Sequence, residues 1–358
     1  MERDALRAAE NFWLHTACGE TLANETLEAL QQAENVLICS ASPLPWPKTF
    51  HSLLSGRCVS PDRSFALLDA AGIPDPGRYL FTEYCSEKAR RTYWPENGRQ
   101  YYPEFIARTK DSRLHHRFVA VSGIGGAEAL GAWLRFAEAY TQETIRLGVS
   151  PRAVFLLEYA GDRGPGEARG MRRLRFSPGR MDVYAFNLRN TAALSFPYEV
   201  SAYAAELISS LAGGDFELAG SLAEDRQTLR ELLYDPKKRF RSLAGDALSA
   251  EQLNTKIQDA QLRTLFPLLE DRRRRFIETY RDAIERSGVL PFESDYGEVK
   301  KDPLDLELRD LLANARRIGV EESDNRQIYA LKEIRNHLAH SRVLTADEVG
   351  CLLDFTIA

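Results

Sequence analysis

The stretch AVFLLEYAGD, residues 153–162, decides how the first half of the chain is read. Apolar side chains run without a polar break from Ala153 to Leu157, and an acid, Glu158, follows. A strand with one face in water alternates apolar and polar residues; an unalternated run belongs to a strand covered on both faces. Such strands lie in parallel sheets with helices on each side.

Two further stretches have the same character: NVLICSA at 35–41 and RFVAVSGIGG at 117–126. Between the last of these and 153–162 lies AEALGAWLRFAEAYTQETIRLG, which carries apolar residues at helical spacing. ALRAAENFWLHTA and ETLEALQQA read as helices ahead of the first strand, and MDVYAFNL (181–188) reads as a fourth strand. Strand, helix and strand at these spacings predict an open, mainly parallel sheet with flanking helices. The aromatic and proline-rich segment 56–112 reads as loops with short elements.

From about residue 230 the character changes. EQLNTKIQDAQLRTLFPLLEDRRRRFIETYRDAIERSG is a long helical pattern, kinked or broken near Pro267. DLELRDLLANARRIG and NRQIYALKEIRNHLAH are further helices, and TADEVGCLLDF is a last one with Thr345 and Glu348 as a capping box. The fold class expected is therefore α/β over 1–235 followed by an all-α helical bundle over 248–358.

Composition limits the function. The chain of 358 residues carries 47 Lys and Arg against 52 Asp and Glu, a net charge of −5. That argues against a constitutive coat for nucleic acid and leaves room for a local basic site. The 5 cysteines are odd in number and form no CxxC pair, as expected of reduced thiols. No apolar run has the length of a membrane span, and MERDALRAAENFW does not resemble a signal peptide. A cytoplasmic protein without membrane partners is expected.

The strand NVLICSA is followed by SPLPWPKT, residues 42–49. A phosphate-cradling loop reads GxxxxGK[ST] after a strand. Lys48 and Thr49 match, whereas Ser42 and Pro47 stand where glycines belong, and Pro43, Pro45 and Pro47 offer no backbone N–H. Glu158, with Asp162 after it, closes an apolar strand as a magnesium-handling acid does. This half resembles a degenerate P-loop NTPase of the AAA or STAND class over about 20–230. The resemblance implies Lys48, Thr49 and Glu158 as the remnant nucleotide site, with no working ATP hydrolysis. Two smaller signals have plain readings. Gly123, Gly125 and Gly126 suit a tight strand-to-helix turn better than a dinucleotide site, and His115 and His116, adjacent, would face opposite ways.

In ALKEIRNHLAHSRVLT, residues 330–345, apolar positions Ile328, Leu331, Ile334 and Leu338 form one stripe. Arg335 lies beside it, Asn336 and His340 are four apart on an adjoining face, and Ser323 or Asp324 can cap the helix. An arginine and a histidine at a buried edge need partners. Arg335 to His340 resembles the RxxxxH signature of HEPN domains over about 250–358. The resemblance implies a helical bundle that pairs as a homodimer and, in many members, a ribonuclease needing neither metal nor cofactor. His340 would then be general base or acid, Arg335 would hold phosphorane charge, and Asn336 would position His340 or bind phosphate. Glu270 or Asp271 would orient Arg335. The other reading of the same residues is a buried hydrogen-bond network ordering helices or the dimer.

Arg272 to Arg275 read as a solvated helix face rather than an RNA groove. YWPENGRQYY (93–102) mixes aromatics with arginine, as base-stacking segments do, although packing of a long insert explains it better. Two functions follow. One is an endoribonuclease gated by an NTPase-like sensor, as in prokaryotic antiphage or stress defence, with RNA as substrate. The other is a non-catalytic binding and dimerisation subunit with a protein partner. They differ in whether Arg335 and His340 are open or sealed.

Overall fold

The computed structural model describes residues 2–58, 62–95, 101–161, 168–293, 297 and 299–357. They divide into two compact units, one of residues 9–182 and one of 1–8 with 183–358.

The first unit is built on five strands: β1 (Asn35–Ser40), β2 (Ser64–Asp69), β3 (Arg117–Ile124), β4 (Val154–Ala160) and β5 (Met171–Phe176). They form one parallel sheet in the order β2-β3-β4-β1-β5. Its helices are the end of α1 (Glu2–His15) from residue 9 on, α2 (Ala17–Gln31), α3 (Pro47–Arg57), α4 (Pro76–Tyr84), α5 (Glu87–Arg91), α6 (Tyr102–Arg108) and α7 (Gly126–Leu147). On one face of the sheet Leu37, Cys39, Val119, Val121, Phe155 and Leu157 meet Trp133, Phe136 and Tyr140 of α7. On the other, Phe12 meets Phe176 edge-on at 6.0 Å and Trp13 stacks on Phe50 at 4.4 Å. The expected parallel α/β sheet is therefore present.

Two strand readings change. MDVYAFNL is not a strand but part of α8 (Arg180–Ala192). Val183, Phe186, Asn187 and Asn190 are its buried stripe, at helical spacing, and the Asp182 carboxylate accepts the Gly179 N–H at 2.8 Å. The fifth strand is MRRLRF instead, at the sheet edge, where only Leu174 and Phe176 are buried. β2 lies within the segment read as loops.

The second unit is helical: α9 (Tyr198–Ala212), α10 (Phe216–Leu222), α11 (Arg226–Tyr234), α12 (Pro236–Ala244), α13 (Ala250–Arg286), α14 (Leu308–Ala313), α15 (Ala315–Ile318), α16 (Glu322–Ala339) and α17 (Ala346–Leu353). A two-residue antiparallel ladder, 292–293 with 299–300, is its only strand pairing among the described residues. α13 runs through Pro267 unbroken and forms the spine, burying Leu253, Ile257, Leu265, Leu269 and Ile277. α9 lies along it through Tyr203–Gln261 and Arg263–Glu206. Helices α9 to α11 thus join the helical unit, ahead of the boundary expected at 235–248.

Candidate functional site

The C-terminal motif sits where α16 ends. Ile328, Leu331, Ile334 and Leu338 are each 2% exposed or less, so the predicted stripe is the buried face. Glu321 stands at the N-cap without a side-chain cap bond; Asp324, expected as a cap, accepts from the Tyr280 hydroxyl at 2.7 Å. His340 is the C-cap residue, its backbone N–H bonded to Asn336 O at 3.0 Å. Ser341 follows with φ +57 and donates to Leu338 O, and the Arg342 N–H returns to His337 O at 2.9 Å. This double reverse bonding is the Schellman turn, here with serine in the left-handed position that glycine usually takes.

The side chains on this turn divide sharply. Arg335 and His340 are exposed and Asn336 is half-buried; among the described residues none of the three has a side-chain partner. His337, between them in the sequence, is the bonded one. Its Nδ1 lies 2.6 Å from Glu348 Oε1, and Arg342 Nη1 lies 3.2 Å from its Nε2. An arginine N–H donates only, so Nε2 accepts and Nδ1–H donates to the carboxylate. Glu348 Oε2 also accepts the Thr345 N–H at 2.8 Å and hydroxyl at 3.0 Å, which is the predicted capping box of α17. Burial pushes the Glu348 carboxyl up, but the Thr345 and His337 bonds outweigh it and hold it below its usual range.

Glu270 does not join this group. It accepts from Arg273 Nε at 3.0 Å, and Arg273 continues to Leu304 O and Leu306 O. Asp271 pairs with Arg275 at 2.8 Å. Arg272 reaches Leu352 O and Asp354, so the basic run spreads around α13 and ties down two other segments. A cleft of about 590 Å³ between α13, α16 and α17 is lined by Arg272, Arg275, Tyr280, Asp324 and Leu331, and excludes Arg335 and His340.

In the sheet unit, Lys48 and Thr49 lie in the first turn of α3. Lys48 is exposed with no partner among the described residues. The loop before it buries Leu44 and Pro45, and Pro45 O accepts the Trp13 indole N–H at 3.1 Å. A phosphate cradle keeps inward N–H groups free; this loop is filled from inside. Trp46, ahead of Pro47, takes φ +43. Glu158 is buried, 8% exposed, and its Oε1 lies 2.5 Å from His51 Nε2 on α3. The acid read as a magnesium ligand is thus held by a histidine that the motif did not single out, and Asp162 lies outside the described residues.

The smaller signals resolve simply. Gly123 has φ +68 with Asp69 against its Cα, and Gly125 caps α7, so these glycines shape the strand-to-helix turn. His115 is buried between Tyr140 and Thr109 while exposed His116 bonds Asp62 O. Among the described residues no group of three His, Cys, Asp or Glu could hold a metal ion, and no helix is long and apolar enough to cross a membrane. No family model matches the chain, and no curated protein matches it.

Proposed function

We propose that the turn closing α16 is the catalytic centre of a HEPN-type endoribonuclease that needs no metal. The observation that carries this reading is the division within six residues. His337 is bonded to Glu348, whereas Arg335, Asn336 and His340 have no side-chain partner among the described residues, in a chain with 52 acids. A network that merely ordered helices would have used the arginine and the histidine.

The chemistry is transesterification. His340 takes the proton of a ribose 2′-hydroxyl as that oxygen attacks the adjacent phosphorus. The P–O5′ bond breaks, the 5′-oxygen receives a proton, and a 2′,3′-cyclic phosphate remains. An imidazole titrates near neutrality and suits both transfers. Arg335 offers its planar fork of donors to the phosphorane oxygens, and Asn336 offers a neutral donor beside it. Two copies meeting about a two-fold axis would bring two such turns to one RNA. The α/β unit is the gate, and defence against phage or stress is the setting that this pairing fits.

A second reading, a binding and dimerisation subunit, draws support from the sheet unit, where prolines fill the cradle and His51 occupies Glu158. Product analysis separates the two. Cleavage ending in 2′,3′-cyclic phosphate, and blocked by a 2′-deoxy nucleotide at the scissile position, belongs to the enzyme. Cleavage unaffected by that substitution removes the transesterification.

A further inference from the structure

The segments 76–95 and 101–117 of the sheet unit carry a feature that the ribonuclease reading leaves unused. Phe81, Tyr93, Tyr101, Tyr102 and Phe105 form one half-buried cluster of rings. Tyr93 stacks on Tyr102 at 5.0 Å and 18°, and Phe81 lies 4.9 Å from Tyr93 and 5.1 Å from Tyr102. Both outer hydroxyl groups are engaged: Tyr93 accepts the Tyr101 N–H at 3.2 Å, and Tyr101 donates to Trp94 O at 2.9 Å. The cluster is therefore fixed, and it presents beside it an indole, Trp94, that is 79% exposed. Trp13 and Trp133, by contrast, are 1% exposed.

The charge around these rings runs against the rest of the chain. Eight Lys and Arg face four Asp and Glu over these two segments, +4 in a chain of −5. Two of the guanidinium groups bond carbonyl oxygens rather than carboxylates, whereas Arg108 is paired with Glu143 at 2.7 Å. Arg90 donates to Thr82 O at 2.9 Å and Arg113 to Glu83 O at 2.6 Å. A carbonyl fixes a guanidinium without cancelling its charge. Arg91 is paired with Glu87, but both are exposed.

We propose that this face binds single-stranded nucleic acid, with Trp94 as a stacking platform and Arg90 and Arg113 as phosphate contacts. A protein partner would also use tryptophan and arginine. A single strand supplies both things that the face lacks: flat π surfaces for an exposed indole and a row of anions for uncancelled guanidiniums. The inference stands apart from the ribonuclease reading, because it concerns a different unit and binding rather than cleavage.

The test is a fluorescence titration of the full chain with mixed-sequence single-stranded RNA and DNA 20-mers, and with a duplex of the same sequence. Expected are binding of both single strands, weaker binding of the duplex, and log K falling linearly with log salt. Trp94→Ala should weaken binding about tenfold or more. Arg90→Ala with Arg113→Ala should flatten the salt slope by about 0.7 for each phosphate no longer neutralised. Circular dichroism would confirm that the variants fold. No binding of either strand overturns the proposal, as does binding that Trp94→Ala leaves unchanged. A Trp94→Ala variant that alters self-association in sedimentation, and not nucleic-acid binding, makes the face a protein interface instead. Cleavage without a Trp94 effect would spare the ribonuclease and sink this site alone.

Discussion

His337 Nδ1 lies 2.6 Å from Glu348 Oε1 and so joins the last turn of α16 to the first turn of α17. The two histidines of the motif therefore differ: His337 ties two helices together, whereas exposed His340 has no side-chain partner among the described residues. His337→Ala removes a bond to a carboxylate and should cost about 1 kcal/mol in urea unfolding. His340→Ala removes an exposed side chain with no partner among the described residues and should stay within about 0.5 kcal/mol of wild type. Equal losses for both would erase the distinction.

Ser341 adopts φ +57 at the left-handed position of the Schellman turn. A side chain there crowds the carbonyl oxygen, whereas glycine adopts the conformation freely. Ser341→Gly should raise stability by about 0.5 kcal/mol, the relief being partly offset by the greater freedom of glycine in the unfolded chain. Differential calorimetry would read it as a higher Tm. A lower Tm would mean that the serine hydroxyl contributes more than its backbone strain costs.

His51 and Glu158 are 6% and 8% exposed, and removing one member of a buried pair leaves the other uncompensated. Glu158→Ala should destabilise by about 3 kcal/mol, while Lys48→Ala should change little. Neither Mg-ATP nor Mg-ADP should raise the Tm of the wild type. A clear rise abolished by Lys48→Ala would restore a working phosphate site.

His115 gives the sheet unit a pH dependence of definite sign. Its Nε2–H donates to Thr109 O at 2.9 Å, since a carbonyl only accepts, which leaves Nδ1 of the neutral ring to accept from the Tyr140 hydroxyl at 2.7 Å. Burial lowers its pKa and outweighs the Thr109 bond, which raises it. The folded chain thus favours neutral imidazole more than the unfolded chain does. The stabilisation is complete above the unfolded pKa of about 6.5 and is lost as pH falls below it. Urea unfolding between pH 7.5 and 5.5 should show a steeper loss for wild type than for His115→Gln; parallel slopes would contradict the assignment.

Legibility in the sequence followed burial. β1, β3 and β4 lie inside the sheet, and their unalternated apolar runs announced them. β2 and β5 are edge strands: SFALLD has no fully buried residue, and MRRLRF puts arginines on its open face. MDVYAFNL misled because Val, Tyr and Phe favour strands, although Val183, Phe186 and Asn190 already had helical spacing. The Thr345–Glu348 capping box was legible because caps are local. The His337–Glu348 and His51–Glu158 bonds were not: partners 11 and 107 residues apart meet only through the fold. The same holds for Glu270, which a helix-internal arginine three residues on claims before Arg335 can.

One measurement bears most directly on the proposed activity: cleavage of a mixed pool of structured and single-stranded RNAs with EDTA present. Wild type would run beside Arg335→Ala and His340→Ala, each shown to fold and to share its oligomeric state. Cutting by wild type, with a loss of about a hundredfold or more in either variant, is the expected result. Cutting that survives both substitutions, or no cutting by any of the three, would contradict a catalytic role for this turn.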